Sequence, residues 1–297
     1  MKKEYLKFNQ WPKWPPKTTP ADRMWWLDDT VILPGRESIL IPNLAIFEIN
    51  GLPTAGKSTM EQQLGKAVRE KLPGKKMDHV NVETISDPLI TTPQLVQDNS
   101  LISLMDDDSI PPLMEKADWM TSLFLQVSKS VYWAQRLSNP QNYSESSVPT
   151  ILIANRGPTD ALIWQYTLLT HHGDPNFEIP PAFDNFIDKN CLETTARLQS
   201  ISNLTNAKIF VGIGQDKAQQ RRAIAGKEHK GWVTDSPIFK DFSAWIAYWI
   251  DNVYPRVKMM KNSGLLLVDG DAEIDSNVQK ISDYIVNSAW RLLPGCY

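Results

Sequence analysis

The chain has 297 residues, 42% of them hydrophobic, with a formal net charge of −3 and a pI near 5.9. Length and apolar content allow one large domain with an appendage, while the near balance of charge argues against a nucleic-acid coat or a polybasic membrane anchor. Cys191 and Cys296 form no C-x-x-C or Cys/His cluster, so neither zinc nor a disulfide framework is expected, and no apolar run approaches a membrane span.

Residues 1–43 differ in composition from the rest, with Trp11, Trp14, Trp25 and Trp26 set among Pro12, Pro15, Pro16 and Pro20. The first residues are positively charged but carry no apolar signal region, which fits a protein kept in the reducing cytoplasm. Tryptophans are costly to leave in water, so the segment reads as an arm packed on the main domain; a partner-binding patch is the alternative. Residues 44–49 then form a short apolar run broken by Glu48, as a buried parallel strand would. Behind it Gly51, Leu52, Pro53, Thr54, Ala55, Gly56, Lys57 and Ser58 fit G-x-x-x-x-G-K-[ST] at every fixed position. Met60, Leu64 and Val68 continue at helical spacing. Strand, glycine loop and helix together are the context of a phosphate-binding loop. Its backbone amides and helix N-terminus would hold a triphosphate, Lys57 would reach the β- and γ-phosphates, and the Ser58 hydroxyl would be a ligand of Mg²⁺.

Pro73-Gly74 breaks the chain, and 79–82 predict a second strand ending at Glu83. A carboxylate at a strand's C-terminal end is where an open α/β sheet places ligand groups, so Glu83 is a candidate general base, against the plainer reading of a solvated acid. Asp106, Asp107 and Asp108 lack the spacing of a cation loop and read as a solvated turn. Residues 113–137 form a helix apolar around most of its circumference, to be buried within the domain or against a second copy of the chain; a homodimer is expected. Gln126 stands alone in that surround, either as a satisfied core amide or as a reader of a base edge.

A third strand, 150–154, leads into Asn155-Arg156-Gly157-Pro158-Thr159-Asp160 and a helix to about 169. Arg156 at the strand end suits an anionic substrate or a transferring phosphoryl group; a surface salt bridge to Asp160 is the plainer reading. His171-His172 read as exposed, and a helix over 183–200 carries no readable function. The fourth strand, 207–213, is followed by a helix with Arg221 and Arg222, then a loop with Lys227 and Lys230 that suits a lid over phosphates near 222–232. A Trp/Tyr-rich helix over 237–260, a fifth strand over 264–268 and a final helix over 274–292 complete the pattern. The fold class is therefore α/β over 44–297: a five-stranded parallel sheet with helices on both faces, plus the Trp/Pro-rich arm of 1–43.

At this point the chain resembles the thymidylate kinase and deoxynucleoside kinase group of P-loop phosphotransferases. IFEINGLPTAGKST resembles that group's opening strand and P-loop, ANRGPTDALIW its D-R or E-R-S segment, and VDGDAEIDSNVQKISDYI its closing strand, adenine loop and helix, so that 44–292 are covered. The resemblance implies that Gly51, Thr54, Ala55, Gly56, Lys57, Ser58 and Thr59 hold ATP, with Arg222 from the lid and Asp271 and Ala272 beside the adenine. It further implies that Glu83 accepts the proton of a nucleoside 5′-hydroxyl, that Gln126 reads the base, that Arg156 and Asp160 serve the substrate, and that Ser58, Glu83 and Asn155 surround Mg²⁺. Asn155 stands where the group has a carboxylate, Asn50 where it has a Glu before the first glycine, and ETISDPL lacks the arginine with which thymidylate kinases grip an acceptor phosphate. The expected activity is transfer of the ATP γ-phosphoryl to a (deoxy)nucleoside. A nucleoside-monophosphate kinase and a nucleotide-binding regulatory module with a degenerate site are the alternatives. Partners are a small nucleoside or nucleotide, with no nucleic acid and no membrane. The absence of N-K-x-D and T-K-x-D segments argues against a GTPase.

Overall fold

The computed structural model describes residues 43–52, 54–85, 148–170, 202, 205–224, 237–255 and 264–293. The N-terminal arm, the helix over 113–137 with Gln126 and the dimer expected from it, the aspartate run, His171-His172, the helix over 183–200 and the lid residues beyond 224 lie outside the described residues.

Five strands, β1 (Leu44–Gly51), β2 (Asn81–Ile85), β3 (Thr150–Asn155), β4 (Ala207–Gly212) and β5 (Gly264–Asp269), form one sheet in the order β2-β3-β1-β4-β5, every neighbouring pair parallel. The helices are α1 (Lys57–Lys71), α2 (Pro158–Thr170), α3 (Gln215–Ile224), α4 (Pro237–Tyr248), prolonged by a π-helical turn at Trp249–Val253, and α5 (Ile274–Leu292). The chain leaves β1 for one side of the sheet and returns through β3 to the other. The end of β1 is thus a topological switch point, where such sheets bind ligands.

Register assigns the two faces. Thr84, Ile153, Phe47, Ala207 and Gly264 share one row across all five strands. A Cβ on Gly65 of α1 would meet Thr84, and one on Gly264 would meet the Tyr284 hydroxyl of α5, so α1 and α5 cover this face. On the opposite face α2 packs against α4, with Trp164 stacked on Phe242 at 4.0 Å between ring centroids. β1, at the centre, is buried along its whole length, and this is why its sequence is a nearly continuous apolar run.

The charged exception in that run is Glu48, which is wholly buried on the α2 face. Its carboxylate accepts the Thr159 backbone N–H (2.8 Å), the Thr159 hydroxyl (2.8 Å), the Thr205 hydroxyl and the Asn50 amide (3.2 Å). Lys208, directly opposite in β4 and equally buried, turns its ammonium onto the carbonyls of Ser202 (2.8 Å) and Thr205 (3.2 Å). The close packing reaches Gly157, where a Cβ would lie 2.5 Å from the carboxylate. One buried acid therefore joins β1, the turn after β3, the N-terminus of α2 and the segment before β4.

Several strand boundaries differ from expectation, with β1, β3 and β5 running one or two residues further. The strand expected over 79–82 with Glu83 at its end is shifted, because pairing with β3 carries β2 on to Ile85. β4 stops at Gly212 and not at residue 213.

Burial raises the Glu48 carboxyl above its ordinary value of 4.5, opposed by the charge of Lys208 and by the hydrogen bonds from Thr205 and Thr159. An acid whose folded pKa is raised keeps its proton longer in the native state, so its stabilisation is present below the unfolded pKa and is lost as pH climbs through the folded one. Urea melts of wild type and Glu48→Gln from pH 4.5 to 8 should therefore show wild type losing stability relative to the variant as pH rises. Glu48→Ala should cost about 3–5 kcal/mol, because it strands Lys208 without its counter-charge.

Candidate active site

The phosphate-binding loop leaves β1 in a conformation few sequences allow. Gly51 has φ 130°, and a Cβ there would lie 2.2 Å from the Val211 carbonyl oxygen; Gly56 has φ 87° and Thr54 φ 60°. Only glycine meets the first two conditions without strain. The loop is tied down by Leu52 N–H to Val211 O (3.3 Å), Ala55 N–H to Leu52 O (3.4 Å) and the Thr54 hydroxyl to Ala218 O (3.2 Å).

α1 begins at Lys57, has Gly56 as its N-cap and carries neither a side-chain cap nor an acid in its first turn. Its first amides and dipole are therefore aimed at whatever lies in the loop. The Lys57 side chain is buried and folds back into the loop, donating to the carbonyls of Gly51 (2.7 Å) and Leu52 (2.6 Å). Ser58 and Thr59 are exposed at the same helix start. Together these groups make an anion cradle with a cation at its base.

The turn after β3 closes on the loop from two sides. Arg156, half-buried with φ 56°, gives its N–H to Ile49 O (2.9 Å), so the motif arginine sits next to the end of β1 in the sparsely populated left-handed region. Asp160 is buried in the first turn of α2 and accepts the Gly51 N–H at 3.5 Å; its other oxygen is buried with no hydrogen-bond partner. A surface salt bridge from Arg156 is therefore not its role. Asn155 is buried on the opposite face and donates its amide to Glu61 of α1 at 2.6 Å, while its Oδ1 is buried with no partner.

The far side is built by the end of β5. Gly270 N–H bonds Gly212 O (2.7 Å), and a Cβ on Gly270 would lie 3.3 Å from Ala55 O, so the Asp269-Gly270-Asp271-Ala272 turn abuts the phosphate loop. Asp271 and Ala272 donate their N–H groups to Asp269, and Asn277 clamps the Asp269 carbonyl. The arginine brought here is Arg221, which donates to Gly270 O at 2.7 Å and lies beside Gly56. The neighbouring Arg222, expected from the lid, belongs to α3, and its side chain lies outside the described residues.

Glu83 is not at this edge. It pairs with Leu152, which pairs with Ile46, five residues before Gly51. At about 3.3 Å per residue that is about 16 Å back along the strands. β2 runs two residues past Glu83, so Glu83 stands within the strand and not at its end. In the sequence the first carboxylate beyond Ile85 is Asp87, outside the described residues.

The oxygen donors on the α1 side of the loop, namely the Ser58 hydroxyl, the partnerless Asn155 Oδ1 and the Glu61 carboxylate, are the hard set that Mg²⁺ takes, so the residues present fit that ion. Among the described residues there is no group of three His, Cys, Asp or Glu able to hold a metal by themselves, so a cation here would share its shell with phosphate and water. No helix among the described residues is long and apolar enough to cross a membrane.

No protein-family model matches the sequence, and no curated protein matches it. Among solved structures the chain is similar to a deoxyadenosine kinase from M. mycoides with bound dATP, with 15% sequence identity, a TM-score of 0.48, and 81% of this chain and 98% of that chain covered. The strand order and the loop after β1 make the chain an α/β fold with a five-stranded parallel sheet and a phosphate-binding loop behind its central strand.

Two glycine variants check the geometry. Gly51→Ala should lower Tm, since a strained backbone of this kind costs about 1–3 kcal/mol, and should abolish ATP binding in calorimetric titration. Gly270→Ala places a Cβ 2.7 Å from Gly212 O, pushing the turn off the loop, and should weaken ATP binding with a smaller loss of Tm.

Proposed function

We propose that the chain transfers the γ-phosphoryl group of ATP to the 5′-hydroxyl of a (deoxy)nucleoside. The observation that carries this reading is the uncapped start of α1 at the switch point of a parallel sheet, with Lys57 buried inside the loop that precedes it. Such an arrangement does no covalent chemistry of its own. It positions a triphosphate and neutralises the charge that spreads over the transferring group.

In this reading the amides of the loop and of Gly56 to Thr59 bind the β- and γ-phosphates, and Lys57 exchanges its two carbonyl partners for phosphate oxygens. Arg156 contacts the phosphoryl group as it moves. Arg221, held on Gly270, closes the loop from the β5 side, and Asp271 and Ala272 border the adenine. When bound, Mg²⁺ supplies charge neutralisation between the phosphates, with Ser58 and Asn155 on its side of the loop. The acceptor's proton passes to a carboxylate beyond the end of β2, and Asp87 takes that role in place of Glu83. The lack of an arginine in ETISDPL favours an uncharged acceptor over a monophosphate.

The test is Mg-ATP consumption with a panel of nucleosides and nucleoside monophosphates. One nucleoside should accelerate turnover. Lys57→Ala should lower kcat about 10²–10³-fold, the range for removing one preorganised charge donor. Asp87→Asn should lower it about 10²–10⁴-fold, as loss of a general base does, with Glu83→Gln close to wild type. Preference for a monophosphate would move the assignment to a nucleotide kinase. ATP binding without phosphorylation of any acceptor would overturn the enzymatic reading in favour of a regulatory nucleotide-binding module.

A further inference from the structure

We propose that Glu61, on α1, supplies the carboxylate that the end of β3 lacks, and that with Asn155 it holds the water shell of the Mg²⁺ accompanying ATP. The inference rests on the ATP-binding reading above. It adds a residue from a different element to the metal side of the loop.

At the end of β3, beside the phosphate loop, stands an amide and not an acid. Asn155 Oδ1 is a hard oxygen donor but carries no charge, and a divalent cation among phosphates is steadied by a nearby carboxylate. Glu61 lies three residues after Ser58 on the same face of α1 and is only 9% exposed. Side chains on a helix lean toward its N-terminus, so a glutamate here covers the first turn, where the Ser58 hydroxyl sits.

Asn155 and Glu61 are joined at 2.6 Å from Nδ2 to Oε2, a charge-assisted bond that fixes which way the amide faces. A flipped amide would set Oδ1 against a carboxylate oxygen, two acceptors in contact. The bond therefore holds Oδ1 away from Glu61. That Oδ1 is fully buried and has no hydrogen-bond partner, on a side chain 1% exposed. A buried acceptor without a partner is rare in folded proteins, and it calls for a ligand that donates. Water in the shell of a cation does so, and a carboxylate beside it strengthens those waters as acceptor and counter-charge. Mg²⁺ keeps several of its waters when bound to phosphates, so both groups can act through them.

If Glu61 served only to orient Asn155, a glutamine would do the same work, because its carbonyl oxygen also accepts the amide. The metal-binding role needs the charge. Wild type, Glu61→Gln, Asn155→Asp and the double variant are compared by two measurements. Calorimetry with β,γ-imido-ATP in EDTA reports nucleotide binding without metal, and Mn²⁺ titration followed by EPR, with the same nucleotide saturating, reports the cation.

Glu61→Gln should bind the metal-free nucleotide as well as wild type or better, and should bind Mn²⁺ about 10–100-fold more weakly, the usual effect of losing a group that supports a metal's ligands. The double variant, which returns the carboxylate to the strand end, should regain Mn²⁺ affinity. Glu61→Gln folded by circular dichroism and binding Mn²⁺ as tightly as wild type would overturn the proposal while leaving ATP binding intact. Should Glu61→Gln fail to fold, Asn155→Asp decides alone: tighter Mn²⁺ binding than wild type supports the site, and unchanged or weaker binding overturns it. Failure of wild type to bind the nucleotide at all would overturn the kinase reading and this inference together.

Discussion

The active-site edge depends on a carboxylate that never reaches it. Glu48 is buried in the middle of the sheet, where an isolated charge would be prohibitively costly. It is tolerated because donors converge on it from three separate parts of the chain: the amide and hydroxyl of Thr159, the hydroxyl of Thr205 and the amide of Asn50. The Thr159 N–H belongs to the first turn of α2, so the acid also meets the positive end of that helix. Pulling α2 onto the sheet in this way leaves no room at residue 157 for anything beyond glycine. The turn after β3 is consequently short and tight. Arg156 takes a left-handed backbone, its N–H is anchored on Ile49, and Asp160 returns to the Gly51 amide.

A phosphate loop held this way is clamped at its root on both faces of the sheet. Asp160 grips Gly51 from the α2 side, while Asn155 faces Glu61 on the α1 side. The other wall comes from β4 and β5, where Val211 O receives the Leu52 amide and the Gly270 turn leans on Ala55. Transfer of a phosphoryl group asks for dipoles already in place, because reorganising them during the reaction would forfeit their effect. In the proposed reading, the hydrogen bonds that tie Gly51, Leu52, Thr54 and Ala55 in place meet that demand before any ligand arrives.

How much of this could be read from the residues follows the range of the interactions involved. The five strands, the loop and α5 were legible, because apolar runs, glycine spacing and amphipathic period are local signals. The end of β2 was not, since a five-residue strand of mixed exposure is bounded by its pairing with β3 and not by its own residues. That two-residue shift moved Glu83 away from the edge. Glu48 looked like a blemish in an apolar strand; its partners at 159, 205 and 208 lie more than a hundred residues downstream, and nothing local announces them. Arg221 and Arg222 differ by about 100° around a helix, an angle that only the packing of α3 on the loop decides. The lone signal for Glu61 was an acid one turn into the helix that starts at the phosphate loop, ordinary by itself and meaningful only beside Asn155.

The pairing of Asn155 with Glu61 explains why an amide stands at the end of β3. An aspartate there would place two like charges within hydrogen-bonding distance in a buried pocket, where with no cation present they would repel. The amide removes that conflict by donating to Glu61, and it keeps one oxygen facing away from the acid. The negative charge then resides on α1, the same helix that begins with Lys57 and Ser58. In the proposed reading Lys57, Ser58 and Glu61 thus share one helix and keep their mutual spacing if the sheet and its other helices shift around them. The cost is a partnerless buried oxygen when no ligand is bound, a local instability relieved by the arrival of whatever the site was built to hold.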